Sequence, residues 1–162
     1  MKILILGRTS FLSREFSKFL KKKKISYSVK SLSSFLALDK KKIEKFNFLI
    51  NFCVHKNYLH MSYNKKYDLD LKIINKIRDI KIKFVMLSSA KVYSADVNLL
   101  ENSQKKPESN YGKNKLVTEK NISKSIKNFL IFRLSNIISP KIIKSKTSVT
   151  NTFFDIVRAN FK

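Results

Sequence analysis

The chain alternates short apolar runs with longer amphipathic segments, and this alternation restricts the folds that it can adopt. Apolar runs of strand length lie near residues 2–7, 25–31, 47–53, 82–88 and 129–134. Segments with helical spacing lie between them, near residues 10–23, 34–45, 64–79 and 111–126. Strands that alternate with helices form parallel sheets through right-handed crossovers, with helices on both faces. The sequence therefore predicts an α/β fold with a doubly wound parallel sheet, strand order 3-2-1-4-5, and a site at the carboxyl ends of strands 1, 4 and 5.

The first of these runs, Lys2-Ile-Leu-Ile-Leu-Gly7, reads as a buried strand that enters a glycine turn and then a helix. The chain contains two glycines, Gly7 and Gly112. Gly7 ends strand 1, and Ser89 ends strand 4 within the run Phe84-Val-Met-Leu-Ser-Ser-Ala90. Because the strands are parallel, we expect these two residues at one edge of the sheet.

The second glycine lies in Tyr111-Gly-Lys-Asn-Lys115, which begins 22 residues after Ser89. Tyr111 and Lys115 are four residues apart and therefore share one face of a helix. A nearby ammonium favours the phenolate and lowers the pKa of a phenol from its ordinary value of about 10. A serine hydroxyl at the end of the neighbouring strand could hold a substrate oxygen beside that phenol. The three residues suit proton transfer at a carbinol or carbonyl, although a solvated helix face explains most isolated pairs with this spacing.

Five segments in this order resemble the extended short-chain dehydrogenase/reductases, also called the NAD-dependent epimerase/dehydratase family, which act mostly on nucleotide sugars. The segments are Met1 to Phe16, Phe48 to Cys53, Phe84 to Tyr93, Tyr111 to Lys115 with Glu119, and Ile131 to Pro140. They cover nearly the whole chain. The resemblance implies a Rossmann-like domain that binds NAD or NADP in the cytoplasm and acts as an epimerase, dehydratase or reductase.

By this resemblance, Ser89 corresponds to the hydroxyl that orients the substrate, and Tyr111 to the general acid and base. Lys115 corresponds to the residue that lowers the pKa of that tyrosine and holds the nicotinamide ribose. Ser88 is an alternative to Ser89, because the doublet leaves the register open. The residues that resemble the cofactor site are Gly7, Arg8, Ser10, Phe11, Leu12, Lys30, Asn51, Cys53 and Lys115.

The opening turn departs from the family, which has three glycines where this chain has Gly7, Ser10 and Ser13. A small serine at the third position is compatible with close packing of helix on strand. Ser10 places a side chain where the backbone approaches the pyrophosphate, although its hydroxyl could cap the helix or bind the phosphate. The affinity for the cofactor depends on which of these roles Ser10 takes.

Two further departures concern acidic residues. NAD-preferring members carry a carboxylate at the end of strand 2, whereas Lys30 and Ser31 follow that strand here, so a 2′-phosphate and NADP are favoured. In the helix ahead of the Ser89 strand, Asp68 or Asp70 stands where the family usually has asparagine. Asn51, with Cys53, resembles the segment that passes beneath the cofactor, and an ordinary strand end explains these two residues equally.

A formal net charge of +24 would ordinarily indicate a surface for nucleic acid or anionic membranes. Of the 35 basic residues only five are arginine, the residue favoured for phosphate and base recognition. Abundant lysine, isoleucine and asparagine with scarce glycine, alanine and proline are typical of an AT-rich genome. The composition therefore argues against dedicated nucleic-acid binding, although the field attracts anionic ligands such as nucleotide sugars.

The length of 162 residues predicts a single domain over 1–162. The opening apolar run is too short for a secretory signal, and no stretch reaches the length of a membrane span. Cys53 is the single cysteine and fits a reducing cytoplasm. With His55 and His60 as the two histidines, a metal site is not expected.

The chain lacks most of the C-terminal half that grips the substrate in the resembling family. A helix is predicted over Thr150 to Phe161, with apolar residues at near-helical spacing. It would pack on the sheet, or dock onto another chain such as a second copy or a completing subunit. Two functions remain open: an NAD(P)-dependent enzyme acting on a nucleotide sugar, and a catalytically idle module that binds a dinucleotide weakly or serves as a subunit.

Overall fold

A computed structural model of the protein describes residues 1–94, 99–135 and 137. Five strands run β1 Lys2–Leu6, β2 Ser26–Lys30, β3 Phe48–Asn51, β4 Lys83–Ser89 and β5 Phe129–Leu134. Six helices run α1 Phe11–Lys22, α2 Leu32–Leu36, α3 Lys40–Ile43, α4 Lys56–His60, α5 Leu69–Ile77 and α6 Asn110–Ser125. Single turns of 3₁₀ helix lie at Lys65–Tyr67 and Ala90–Val92. The predicted helix at 150–161 lies outside the described residues.

All five strands are parallel and form one sheet, which confirms the predicted α/β fold with a parallel sheet. The strand order is β2-β1-β3-β4-β5 and not the expected 3-2-1-4-5. β3 pairs with β1 and β4, with Ile50 opposite Ile5 on one side and Val85 on the other. Because β2 lies on one side of β1 and all later strands lie on the other, the strand order reverses between β1 and β3.

The burial of the strands explains the corrected order. β2 alternates Ser26, Ser28 and Lys30 with Tyr27 and Val29, and none of its residues is fully buried, which suits an edge strand. The continuous run in β3 is buried at Leu49, Ile50 and Asn51, which suits a strand with neighbours on both sides. An order of 3-2-1-4-5 would have placed the polar strand inside the sheet and the apolar strand at its edge.

Two of the connections between strands differ from the sequence prediction. The helix expected over 34–45 is two short helices, α2 and α3, with Asp39 in extended conformation between them. The helix α4 follows β3 and was not predicted, because its five residues are too few to show helical spacing. Both differences leave the connections between strands helical, so the crossovers keep the form that parallel strands require.

The two faces of the sheet are covered unequally. Leu4, Leu49, Phe84 and Met86 face a large apolar cluster built with α2, α3, α5 and α6. Alternate strand residues, among them Ile3, Ile5, Ile50 and Val85, face a smaller cluster that α1 completes through Phe16 and Leu20. Right-handed crossovers produce this difference, because the β1-to-β2 step runs opposite to every later step. Of the six described helices, α1 therefore covers one face, and α2, α3, α5 and α6 cover the other.

Candidate active site at the carboxyl edge of the sheet

The carboxyl ends of three adjacent strands carry the candidate site. Gly7 follows β1, Asn51 ends β3 and Ser89 ends β4. Because β3 lies between β1 and β4, Asn51 stands between the glycine turn and the candidate catalytic serine. In doubly wound sheets ligands bind at the carboxyl ends of the strands where the strand order reverses, which here is beside β1.

The turn after β1 has the geometry that a close backbone approach requires. Gly7 has φ +109°, and a Cβ on it would lie 3.1 Å from the backbone and Cβ of Phe52. A side chain at this position would therefore be strained and crowded. The turn closes with a hydrogen bond of 2.9 Å from the Ser10 amide to the Gly7 carbonyl, and α1 starts at Phe11.

The N-terminus of α1 fits a phosphate-bearing group. Ser10 is the N-cap residue, but its hydroxyl makes no capping hydrogen bond, so the first-turn amides and this hydroxyl both remain available to a ligand. Arg8, two residues before Ser10, is exposed, and the first turn of α1 contains no acidic residue. Ser13 is 1% exposed and packs inside, so the third position accommodates its small side chain.

The end of β2 offers one cation. Lys30 ends this strand, while the Ser31 hydroxyl accepts a hydrogen bond of 3.1 Å from the Ser34 amide and so caps α2. Ser31 is committed to local structure. Lys30 is therefore the residue at this strand end with a charge to offer to a ribose phosphate.

The first turn of α6 carries Tyr111 and is fixed at both sides. Its N-cap residue Ser109 accepts a hydrogen bond of 3.1 Å from the Gly112 amide. Gly112 lies directly against the 3₁₀ turn that follows Ser89, where any Cβ would collide with the Lys91 carbonyl. The second glycine of the chain thus lets the tyrosine helix approach the end of β4.

Lys115 lies one turn further along α6 and is 4% exposed. Its ammonium nitrogen is 3.3 Å from a carboxylate oxygen of Asp70, which is 5% exposed. The other oxygen of Asp70 accepts a hydrogen bond of 2.7 Å from the Asn51 side chain. Burial raises the pKa of Asp70, and the Lys115 charge and the Asn51 hydrogen bond oppose that increase. Asp70 therefore supplies the counter-charge that a buried ammonium needs.

Two tyrosine rings flank the same ammonium. The nitrogen of Lys115 is 5.5 Å from the ring centre of Tyr58 and 5.9 Å from that of Tyr111. The two rings meet edge to face, with centres 6.3 Å apart. The Tyr58 hydroxyl lies 2.6 Å from that of Thr118, and burial raises the pKa of Tyr58 well above the ordinary value for a phenol. Tyr58 therefore stays protonated, which leaves Tyr111 as the better candidate for proton transfer.

Cys53 lines a small cavity of about 10 Å³ together with Asp70 and Lys115. Its amide donates a hydrogen bond of 2.8 Å to the Asn51 side chain, which fixes the segment after β3. Burial, and next the Asp70 carboxylate, raise the pKa of the Cys53 thiol to about 11. The thiol is therefore protonated and a poor nucleophile near neutral pH.

The two serines at the end of β4 have different partners. Ser88 donates a hydrogen bond of 2.6 Å to a Glu119 oxygen and is 3% exposed. Ser89 accepts a hydrogen bond of 3.2 Å from the Lys91 amide, at the edge of the sheet. Because the Ser88 hydroxyl is committed to a buried carboxylate, the geometry favours Ser89 as the serine that could meet a substrate.

Glu119 is also held by Arg133 on β5. The guanidinium donates two hydrogen bonds, of 3.0 and 2.8 Å, one to each carboxylate oxygen. A third donor of Arg133 reaches the Tyr93 hydroxyl at 2.7 Å, and that hydroxyl donates to the Glu101 carbonyl at 3.0 Å. These bonds tie the strand ends of β4 and β5 to α6 and to the segment around Tyr93.

A second buried network holds α6 against α4 and α5. Asp68 is fully buried and accepts hydrogen bonds from the Thr118 hydroxyl at 2.7 Å and the Leu71 amide at 2.9 Å. The Asn114 side chain donates to the carbonyls of Tyr58 and Met61 at 2.8 and 2.9 Å. The two aspartates thus have different tasks, since Asp68 caps a helix and Asp70 meets the candidate catalytic lysine.

The sequence also matches a known protein family. The model of the family described as the RmlD substrate binding domain matches residues 1–158. This chain belongs to that family. The resemblance to the extended short-chain dehydrogenase/reductases is thereby confirmed. A comparison with curated proteins gives no match.

Solved structures of other short-chain dehydrogenase/reductases have the same fold as this chain. A dTDP-4-dehydrorhamnose reductase from Clostridium acetobutylicum is 21% identical, with a TM-score of 0.67 over 98% of this chain and 60% of its own. A UDP-glucuronic acid 4-epimerase from Bacillus cereus, solved in complex with NAD, is 19% identical, with a TM-score of 0.65 over 87% and 58%. An NAD-dependent NDP-hexosamine 5,6-dehydratase of tunicamycin biosynthesis is 18% identical, with a TM-score of 0.65 over 82% and 54%. The chain spans about 60% of the length of the first of these proteins.

The candidate site contains residues that the sequence predicted and others that it did not. Asn51, Cys53 and Lys115 come together around Asp70, whereas Arg8 and Lys30 lie at the ends of β1 and β2. The sequence interpretation missed the tasks of Tyr58, Thr118 and Arg133, which contact partners 14 to 60 residues away. Within the described residues, no three histidine, cysteine, aspartate or glutamate side chains form a group that could hold a metal ion. No helix in that part of the chain combines the length and apolar character needed to cross a bilayer.

Proposed function

We propose that this chain is the dinucleotide-binding and proton-transfer part of an NAD(P)-dependent enzyme that reduces, epimerises or dehydrates a nucleotide sugar. One observation carries the proposal: Gly112 packs against the Lys91 carbonyl and so holds the Tyr111 and Lys115 helix against the strand end of Ser89. The family match and the fold of the solved structures support it.

The chain's own residues fit a dinucleotide. The turn at Gly7 and the uncapped amides of α1 would hold the pyrophosphate, with Ser10 as an added hydroxyl donor. Arg8 and Lys30 would meet a 2′-phosphate, so NADP is proposed ahead of NAD. Lys115, beside Asn51, would hold the nicotinamide ribose. When bound, the nicotinamide would supply or accept a hydride at the sugar carbon.

The proton chemistry is assigned to three side chains. Tyr111 would give a proton to the sugar carbonyl oxygen, or take one from the corresponding carbinol. Ser89 would hold that oxygen by a hydrogen bond from its hydroxyl. The ammonium of Lys115 lies 5.9 Å from the Tyr111 ring centre, and the Asp70 carboxylate compensates its charge.

The same ion pair favours a second candidate function. Lys115 already has a buried partner in Asp70, and the chain spans about 60% of the length of the reductase from Clostridium acetobutylicum. A catalytically idle module, which binds a dinucleotide weakly and works with a second copy or a completing subunit, is the alternative. The two candidates differ in whether cofactor binding depends on Lys115 and whether any nucleotide sugar is turned over.

Titration of the purified chain with NADPH and NADH, at low and moderate salt, tests the cofactor site. We expect saturable binding that Lys115→Met weakens by at least about tenfold, a loss of roughly 1.4 kcal/mol. Lys120→Met, on the exposed side of the same helix, removes the same charge and is the matched control. Binding that the two variants weaken equally, and that moderate salt abolishes, would reduce the assignment to the general field of a +24 chain.

Turnover separates the enzyme from the idle module. Tyr111→Phe should keep the fold and cofactor affinity and lose turnover of dTDP- or UDP-linked sugars by about 10²–10⁴-fold. Cofactor binding without turnover of any such sugar by the unmodified chain would support the idle module instead.

A further inference from the structure

The amino edge of the sheet is strongly basic. Because all five strands are parallel, the segments that lead into them, 1–2, 21–25, 44–47, 78–83 and 124–128, meet at this edge. Each of these segments contains at least one lysine. Their cations, all exposed except the half-buried Lys83, are Lys2, Lys21, Lys22, Lys23, Lys24, Lys45, Arg78, Lys81, Lys83, Lys124 and Lys127. Their two carboxylates are Glu44 and Asp79, and Asp79 pairs with Lys40.

Lysine is abundant throughout the chain, but it is not spread evenly over the two ends of the sheet. The segments that leave the strands at the carboxyl edge are 7–10, 31–34, 52–56 and 90–94. They are of similar length and contain three cations, Arg8, Lys56 and Lys91. A composition set by the genome alone would load both edges alike. Among the described residues, none of the amino-edge cations has a carboxylate within ion-pair distance, so their charge is not neutralised locally.

Helix ends account for part of this charge. The helices α1, α3, α5 and α6 end at the amino edge, and cations in a last turn offset the partial negative charge of a helix C-terminus. Three of the amino-edge cations hold such positions, namely Lys21, Lys22 and Lys124. Three others lie two to four residues beyond the end of a helix, namely Lys45, Lys81 and Lys127. The amino edge therefore carries more positive charge than the helices require.

A cleft of about 510 Å³ opens at the same edge, between the C-terminal ends of α5 and α6. Its charged lining residues are all cations, namely Arg78, Lys124 and Lys127. Its apolar lining residues are all isoleucines, namely Ile77, Ile80, Ile82 and Ile126. Two large apolar side chains are also exposed at this end of the sheet, since Phe19 in the last turn of α1 is 50% exposed and Met1 is 67% exposed. The amino edge thus combines cations with apolar groups.

We propose that the amino edge binds the surface of an anionic lipid bilayer. Lysines near such a surface are attracted to its negative headgroups, and the contributions of several lysines add together. Phe19 and the isoleucines of the cleft suit the boundary between the headgroups and the acyl chains. Five strands about 4.8 Å apart give an edge about 19 Å wide, which is enough to meet several headgroups at once. The candidate active site lies at the opposite edge, so a bilayer bound here would leave it open to water.

The same observations favour a bilayer over a nucleic acid. One of the amino-edge cations, Arg78, is an arginine, the side chain whose planar fork suits phosphate and base recognition. Contacts to nucleic acids come mainly from charged and polar side chains, so the isoleucines of the cleft would have no task there. A lipid uses both kinds of group, because its anionic headgroup is joined to an apolar chain.

Co-sedimentation of the full chain with vesicles, at low and moderate salt, tests the proposal. The vesicles contain phosphatidylcholine alone, or phosphatidylcholine with about one third phosphatidylglycerol. We expect binding to the anionic vesicles, with no binding to the neutral ones. The triple variant Lys81→Gln, Lys124→Gln and Lys127→Gln should weaken this binding at least about tenfold, because all three charges would face the headgroups.

A second triple variant, Lys56→Gln, Lys91→Gln and Lys113→Gln, is the matched control. It removes three exposed lysines near the carboxyl edge and lowers the net charge by the same amount. We expect it to change the affinity for anionic vesicles less than about twofold, because these charges would lie more than a Debye length of about 10 Å from the bilayer. Urea denaturation of both variants checks that they fold.

Four results would overturn the proposal. Absence of binding to the anionic vesicles at low salt would mean that the amino edge does not recognise lipid. Equal binding to neutral and anionic vesicles would mean that the lysines have no part in it. Equal weakening by the two triple variants would reduce the binding to the general field of the chain. Tighter binding to duplex DNA than to anionic vesicles, lost in the amino-edge variant, would assign this surface to a nucleic acid.

Discussion

The ammonium of Lys115 lies 3.3 Å from the carboxylate of Asp70, and both side chains are almost fully buried. Each charge is therefore the other's main compensation, with Asn51 as the further donor to the carboxylate. Breaking such a pair by removing one member is more costly than removing both.

Asp70→Asn should lower the free energy of unfolding by about 3–5 kcal/mol, because Lys115 would remain as a buried charge without its partner. The double variant Asp70→Asn with Lys115→Met should lose less than the sum of the two single variants. Urea denaturation of the four proteins measures this coupling. Additive losses would show that the two groups do not stabilise each other.

Gly112→Ala should destabilise the protein by about 1–3 kcal/mol, because the added methyl group would collide with the Lys91 carbonyl. Helix propensity alone predicts the opposite sign, a gain of roughly 1 kcal/mol for this exchange. Lys113→Ala, at the exposed next position, is the control and should change stability little. A thermal melt that shows Gly112→Ala to be stabilised would contradict the close packing of α6 on the turn after β4.

Arg133→Lys should also destabilise the fold, although it keeps the charge. The guanidinium bonds both oxygens of Glu119, and these hydrogen bonds raise the pKa of Arg133 above its ordinary value. A lysine cannot reproduce the paired bonds or reach Tyr93 at the same time. We expect a loss of about 1–3 kcal/mol in urea denaturation, for the hydrogen bonds left unmade at a buried carboxylate. Wild-type stability in this variant would mean that a single cation is sufficient for Glu119.

The Cys53 thiol should react slowly with iodoacetamide at pH 8 and faster as the pH approaches 11, because its pKa is raised to about 11. A thiol ionises on losing its proton, so a raised pKa means less thiolate at any given pH below it. Asp70→Asn should shift the pH profile downward, since the carboxylate is the second cause of the shift. A profile centred near the ordinary thiol value would show that the site is open to water.

The stability of the protein should also fall as the pH rises in the alkaline range. Between about pH 9 and pH 11 the unfolded chain loses the Cys53 thiol proton and the folded chain keeps it, so the free energy of unfolding decreases as the pH rises. Cys53→Ala should flatten this part of the curve. Tyr58 and Tyr63, whose pKa values burial also raises, would continue the fall at higher pH.

Periodicity predicted the alternation of strands and helices, because each strand run is apolar and each helix has one apolar face. The position of β3 did not follow from that alternation. It depends on which strand tolerates an edge, and the serines and Lys30 of β2 carried that information in the sequence. The expected order 3-2-1-4-5 is common among doubly wound sheets, but it does not account for these polar residues of β2.

The residues of the candidate site could likewise be predicted only in part from the sequence. The spacing of Tyr111 and Lys115 predicts a shared helix face, and α6 carries both residues. The sequence does not show which of Asp68 and Asp70 meets Lys115. The two lie only two residues apart, yet Asp68 caps α5 and Asp70 is the buried counter-ion of Lys115. The Ser88 and Glu119 pair, 31 residues apart, likewise has no local signal in the sequence.

The unequal edges of the sheet also bear on how the protein behaves in concentrated solution. β2 ends the sheet with five residues, three of them serine or lysine, which is a poor template for another strand. At the other end of the described sheet, β5 is the longer Phe129-Leu-Ile-Phe-Arg-Leu134, a sequence with high strand propensity. Misassembly by strand addition would therefore proceed from the β5 side, and a lysine introduced into β5 should suppress aggregation during refolding more than one introduced into β2.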